Sequence, residues 1–217
     1  IKIFLILILL SIINGQVRIG DWKTLTCPLD VRALIQLGDT TYCATGGGLL
    51  LYHNSTFEVL TTVNELYGID LLSISKDSYN NIWIGGKSPI GFVQIYDSEK
   101  NSVSIFDYGL TEITKFYIGD SIALASFIDG QDIGLIKWKY SDNKWSYRDI
   151  YRNFPFLIES INGIEIVNQH VFMGTDSGLL IGHLRENLKD PNNWELVSNE
   201  YNSSIDAMRE IGNGFAF

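Results

Sequence analysis

Apolar and polar residues alternate with a period of two along most of this chain, in short runs broken by Asn, Asp and Gly. Such alternation predicts half-buried β-strands, because successive side chains of a strand point to opposite faces. Four runs, 31–37, 71–76, 114–118 and 163–167, read as first strands. Each is followed by a polar turn and a second strand carrying small residues: 42–46, 82–86, 122–126 and 171–175. A third strand then opens on a glycine, at Gly48, Gly91, Gly134 and Gly178, spaced 43, 43 and 44 residues apart. A fourth, more polar strand follows at 57–60, 103–106, 145–148 and 194–197. Beyond residue 15 no stretch has a helical period.

Four antiparallel strands in about 43 residues is the size of a β-propeller blade. The expected fold is all-β: a propeller of four-stranded antiparallel blades, about four complete and part of a fifth, in an incomplete ring. The competing architecture is a β-sandwich with coincidental spacing, which three nearly equal intervals disfavour. In the propeller, the first two strands face the central channel, and Gly85, Ala125 and Gly174 let neighbouring sheets approach. The blades are expected at 31–62, 70–108, 114–151 and 161–199, with the start of a fifth at 204–217. Residues 22–25 match the fourth-strand pattern with no strands before them, so 16–30 is expected to close the ring against a later blade.

The N-terminus changes the picture of where the chain works. Lys2 precedes an apolar run over residues 3–10 and then Ser11, Ile12 and Ile13, the layout of a secretory signal peptide, expected at 1–15 with cleavage after Gly15. The alternative is an uncleaved anchor; in both cases the remainder is exported, periplasmic, outer-membrane-associated or secreted. The run is short for a membrane span, which needs about 20 apolar residues, and no span is expected in the mature part. The net charge of −9 argues against nucleic acid as a partner, since an acidic surface repels phosphate. Cys27 and Cys43 fall in the exported part, where a disulfide is permitted; two separate thiols are expected, because Cys43 reads as a small buried hydrophobe.

No catalytic, cofactor-binding or metal site is expected. His53, His170 and His183 share no zinc spacing. The acidic pairs Asp129/Asp132 and Asp39/Asp70 have the chemistry for acid–base work, but nothing local fixes them. The stretch 129–132 lacks the order of a calcium loop, and 46–48 leads into a strand without the lysine of a phosphate loop. No nucleophile elbow or Ser/His/Asp set is recognisable. The sequons at Asn54 and Asn202 read as ordinary loop residues. Trp138, Trp145 and Trp194 are candidates for binding sugars or peptides, or else cover the apolar flank of outer strands.

Blade two, Asp77-Ser-Tyr-Asn-Asn-Ile-Trp-Ile-Gly-Gly86, resembles the repeat of two-component-regulator propellers, roughly D-x-x-G-N-I-W-I-G-T followed by G-G-L. Blade one supplies Ala44-Thr-Gly-Gly-Gly-Leu49 and blade four Met173-Gly-Thr-Asp-Ser-Gly-Leu179. Asn80 stands where the turn glycine is usual; blade three departs, with Ala123 for the Trp and a lengthened loop at 126–132. The start, Asp21-Trp-Lys-Thr-Leu25 and then Val31-Arg-Ala-Leu34, resembles the N-terminal propeller of PorZ-like proteins of type IX secretion. The resemblance implies extracytoplasmic domains of Bacteroidetes-like bacteria. The expected function is a non-catalytic binding and assembly scaffold, linked to type IX secretion, with a protein or glycan ligand on a propeller face. The alternative is the periplasmic, ligand-sensing ectodomain of a hybrid histidine kinase; an enzyme is not expected.

Overall fold

The structure, a computed structural model, describes residues 25–97, 101–197, 203–211 and 214–216. The leader-like stretch 1–15 and Trp22 of the expected closing strand lie outside the described residues. Residues 25–30 carry no strand and run past the turn at Gly47.

The alternating segments form four antiparallel sheets. Sheet one contains β1 (Val31–Leu37), β2 (Thr40–Thr45), β3 (Gly48–His53) and β4 (Thr56–Leu60). Sheet two contains β5 (Asp70–Lys76), β6 (Ile82–Ser88), β7 (Gly91–Asp97) and β8 (Asn101–Leu110). Sheet three contains β9 (Glu112–Ile118), β10 (Ile122–Asp129), β11 (Asp132–Ser141) and β12 (Lys144–Tyr151). Sheet four contains β13 (Ile161–Val167), β14 (His170–Thr175), β15 (Gly178–His183) and β16 (Trp194–Leu196), followed by the pair β17 (Arg209–Ile211) and β18 (Gly214–Ala216). Strands pair in chain order within every sheet, and the first strands β1, β5, β9, β13 and β17 lie side by side. These are the blades of a β-propeller, arranged in sequence and not closed into a ring.

Polar side chains stitch each inner strand to the neighbouring blade, the last of them to the segment ahead of β17. Arg32 donates to the Leu71 carbonyl at 2.9 Å, Ser73 to that of Ile113 at 3.1 Å, Tyr117 to that of Ile166 at 3.4 Å and Asn162 to that of Ile205 at 2.9 Å. Small second-strand residues admit the neighbouring blade: a Cβ on Gly85 would lie 2.7 Å from Ile113, and one on Gly174 the same distance from Ile205. The apolar core is accordingly three seams, one between each pair of adjacent sheets, and each of its clusters draws on two blades.

The repeated glycine has a physical cause. A Cβ at Gly48, Gly91 or Gly134 would come within 2.3, 2.9 or 2.2 Å of the carbonyl oxygen of Leu60, Leu110 or Tyr151, where the fourth strand ends. Gly48 and Gly178 also have φ of +121° and +123°, a backbone region that disfavours side chains. Ahead of these two glycines, Thr45 and Thr175 close the same turn. Each Oγ1 donates to the glycine carbonyl, at 2.7 and 2.8 Å, and accepts the N–H of Gly47 or Ser177 at 3.1 Å. Asn80 takes φ +65°, as a replacement for glycine must.

Blade three corrects one expectation. Residues 126–132 are not a lengthened loop. The β10 ladder continues to Asp129, which pairs with Asp132 across a two-residue turn. Phe127 and Leu135 are fully buried and extend the apolar alternation, so the hairpin lengthens instead of looping out.

Candidate functional site

The seam between blades two and three is organised by Asp77, in the turn between β5 and β6. Its Oδ1 accepts the backbone N–H groups of Tyr79 and Asn81, both at 2.9 Å. Its Oδ2 accepts Asn81 Nδ2 at 2.9 Å, Trp83 Nε1 at 3.2 Å and, from the next blade, Trp145 Nε1 at 3.0 Å. Trp83 meets Trp138 and Trp145 edge-on, with ring centroids 5.6 and 5.1 Å apart. All three tryptophans are buried, as is Trp194 in the next seam, where Nε1 donates to the Leu188 carbonyl at 2.9 Å. Of the two roles open to Trp138, Trp145 and Trp194 in the sequence, packing between blades is the one they take; none is exposed for a sugar. Trp138 Nε1 makes no well-formed hydrogen bond among the described residues; its weaker contact is with Tyr108, whose pKa it lowers against the larger effect of burial.

The other sequence candidates fall as follows. Asp129 and Asp132 are brought together, but Arg152 holds both, at 2.9 and 3.8 Å, and lies over the Phe127 ring. Asp39 and Asp70 are separated, at opposite ends of the inner strands. Asp70 joins Asp30 in clasping Arg32, whose basicity is raised chiefly by the hydrogen bond to Asp70. His53 caps β3, with Asn54 donating to its Nε2 at 2.6 Å and its Nδ1 facing the Asp39 carbonyl at 3.3 Å. His170 and His183 are cross-strand partners, rings 4.6 Å apart and perpendicular. That pairing was legible in the register around the 175–178 turn. No cluster of three or more His, Cys, Asp or Glu able to hold a metal occurs among the described residues. Cys27 is exposed and Cys43 buried; both are free, and burial pushes the Cys43 thiol pKa up. Asn54 sits in the β3–β4 turn at φ +48°, while Asn202 lies outside the described residues.

The recesses with the makings of a site lie at the seam between blades three and four. The connection 184–193 reaches across this seam. Lys189 binds Asp149 of β12 at 2.6 Å, its own pKa raised by that bond, and Asn153 donates to the Lys189 carbonyl at 3.3 Å. On one side opens a cleft of about 570 Å³ between the β10–β11 turn and the connector 152–158. Arg152 and Asp132 supply its polar edge; Phe154, Phe156 and Leu157 supply apolar surface, Leu157 being 80% exposed. Asp176 anchors the connector by accepting the N–H groups of Glu159 and Ser160 at 2.8 and 3.0 Å. Burial pushes its pKa up, but these bonds outweigh that and leave it below the usual carboxylate range. On the other side is a cleft of about 600 Å³ bordered by Lys137, Lys139, Arg148 and Arg185. The sequence reading missed both, since each joins residues distant in the chain. Among the described residues no helix is long and apolar enough to cross a membrane.

A scan of protein-family models finds no match to this chain, and a search of curated proteins finds none. Among solved structures the chain is similar to PorZ, a bacterial surface component of the type IX secretion system of Porphyromonas gingivalis. The two are 17% identical over 90% of this chain and 26% of that one, with a TM-score of 0.68. It is also similar to the extracellular domain of BT3049, described as a hybrid two-component system of B. thetaiotaomicron: 18% identity, 92% and 28% coverage, TM-score 0.64. The AfRom2 CNH domain is 9% identical over 88% of this chain and 68% of that one, with a TM-score of 0.60. The chain thus spans about a quarter of the two bacterial structures, and at these identities the likeness is one of fold.

Proposed function

We propose that the chain is a non-catalytic β-propeller module of an exported bacterial cell-envelope or secreted protein, acting as a binding and assembly scaffold linked to type IX secretion. The observation that carries this is the cleft at Leu157. It offers apolar surface to a partner, while its one guanidinium is already neutralised by Asp129 and Asp132, so it is shaped for recognition rather than proton transfer. The signal-like stretch 1–15 and the likeness to PorZ support export and assembly. A second reading, the sensor ectodomain of a hybrid kinase, is favoured by the nearly equal likeness to the BT3049 domain.

The test places a photo-crosslinking amino acid at Leu157 of the full-length protein in its native cells. The expected result is a light-dependent adduct with one envelope protein, which Phe156→Asp reduces severalfold. No protein adduct at 157, with a kinase core encoded downstream, overturns the scaffold in favour of the sensor. Hydrolysis of a glycan by the purified full-length protein overturns the non-catalytic assignment.

A further inference from the structure

The second cleft, on the other side of the 184–193 connection, has a charge pattern at odds with the rest of the molecule. The chain carries a net charge of −9. Yet Lys137, Lys139, Arg148 and Arg185 border one recess, and among the described residues none of the four lies within ion-pair distance of a carboxylate. The nearest acid in the register, Asp149 opposite Lys137, is engaged by Lys189 at 2.6 Å. Arg32, Lys87, Arg152 and Lys189, by contrast, each have a carboxylate within 4 Å.

The backbone puts these cations where they are. Ile136 and Trp138 of β11 point into the seam with blade two, so by the period of two Lys137 and Lys139 point the other way, along with buried Leu135, toward blade four. In β12 the register slips between Tyr147 and Asp149, leaving Arg148 as the extra residue of a β-bulge. Bulges re-aim a side chain, and this one adds a guanidinium to the recess. From blade four, Arg185 is held on two sides: its Nε donates to Gln169 Oε1 at 2.8 Å, and its backbone N–H donates to His183 Nδ1 at 3.1 Å. One edge of the Arg185 fork is thereby fixed and its terminal nitrogens are left for a ligand. Gathering four like charges costs free energy that a bound counter-charge would relieve, and partial burial holds the Lys137 pKa below the ordinary lysine value against the raising pull of Asp149.

We propose that this cleft binds an oxyanion, a phosphate or sulfate group, free or carried on a sugar. Two guanidinium forks and two ammonium groups match a compact group with several acceptor oxygens. The site is distinct from the Leu157 cleft and stands whether or not the scaffold function does.

Isothermal titration calorimetry on the full chain, in about 20 mM salt where screening is weak, tests it with inorganic phosphate, sulfate and glucose 6-phosphate. Saturable binding is expected, weakening with added salt. Arg148→Gln and Lys139→Gln are each expected to weaken it about tenfold. Lys144→Gln, which makes the same charge change at the first residue of β12 outside the cleft, is expected to leave it within about twofold. Equal affinity for phosphate and the sugar phosphate assigns a free anion, and tighter binding of the sugar phosphate assigns a sugar-borne one. The proposal is overturned if no ligand gives saturable heat, or if Lys144→Gln weakens binding as much as Arg148→Gln does.

Discussion

The seams on the two sides of blade three are built differently. Toward blade two, indole rings stack edge-on and a carboxylate is shared across the junction, so the space between the sheets is filled with large rings fixed at their polar ends. Toward blade four, the filling is mostly aliphatic, from Leu124, Leu135, Ile164, Met173 and Leu180, with Tyr151 and Trp194 at the outer side. Both recesses of the seam, one mixed and one cationic, lie where the connections 152–158 and 184–193 run. A repeat protein stacks units through nearest-neighbour interfaces. Here one interface is filled by rings that share a carboxylate, and the next holds both recesses.

The largest effect separating the seams belongs to Asp77. Asp77→Ala leaves two buried indole N–H groups without an acceptor, each costing about 1–3 kcal/mol, and also opens the turn, for a total of roughly 4 kcal/mol. Urea denaturation of the full-length protein measures it. A loss under about 1 kcal/mol would mean that the carboxylate does not join the blades.

The tryptophans sharpen the contrast at smaller scale. Trp145→Phe removes a charge-assisted hydrogen bond across the seam and is expected to cost about 3 kcal/mol. Trp194→Phe strands only the Leu188 carbonyl and is expected to cost about 1–2 kcal/mol. Trp138→Phe is expected to cost least, about 1 kcal/mol, although Trp138 is the most buried of the three. The smaller ring leaves a gap, but it also deletes a donor with no well-formed hydrogen bond, only a weak contact with Tyr108. Equal losses at positions 138 and 145 would show that ring volume alone holds this seam.

The blades were legible in the sequence because each local signal agreed with the others. Alternation set the strands, the Asn/Asp/Gly turns set the hairpins, and the glycine period set the stacking. The glycine spacing was visible although its cause was not: only the folded chain shows the Leu60, Leu110 and Tyr151 carbonyls in the way of a side chain. The loop expected at 126–132 failed for a local reason. Asp129-Gly-Gln-Asp132 is rich in turn residues, and the buried pairing of Phe127 with Gly134 outweighed them. The candidate sites were far less legible. Asp77 reads as one more turn aspartate until Trp145, 68 residues on, donates to it. The cations of the second cleft come from β11, from a bulge in β12 and from the end of blade four, and no spacing announces that union.

Tyrosine ionisation gives the finest comparison of the two seams. Burial pushes the Tyr108 phenol, which packs beside Trp138 and Tyr147, up to about 12, and raises Tyr151, in the seam with blade four, further still. A phenol raised above its ordinary value near 10 holds its proton in the fold and releases it more readily when unfolded. Its contribution to stability is complete below about pH 10 and falls as pH rises from there toward the folded value, because the native state then binds more protons than the unfolded chain. Tyr151 is only 4% exposed whereas Tyr108 is 36% exposed, so solvent softens the effect at Tyr108. Urea midpoints measured from about pH 9 to 12 are therefore expected to hold to about pH 10 and fall above it. Tyr151→Phe should flatten that decline more than Tyr108→Phe does. The reverse order would place the drier environment in the aromatic seam and remove the distinction between them.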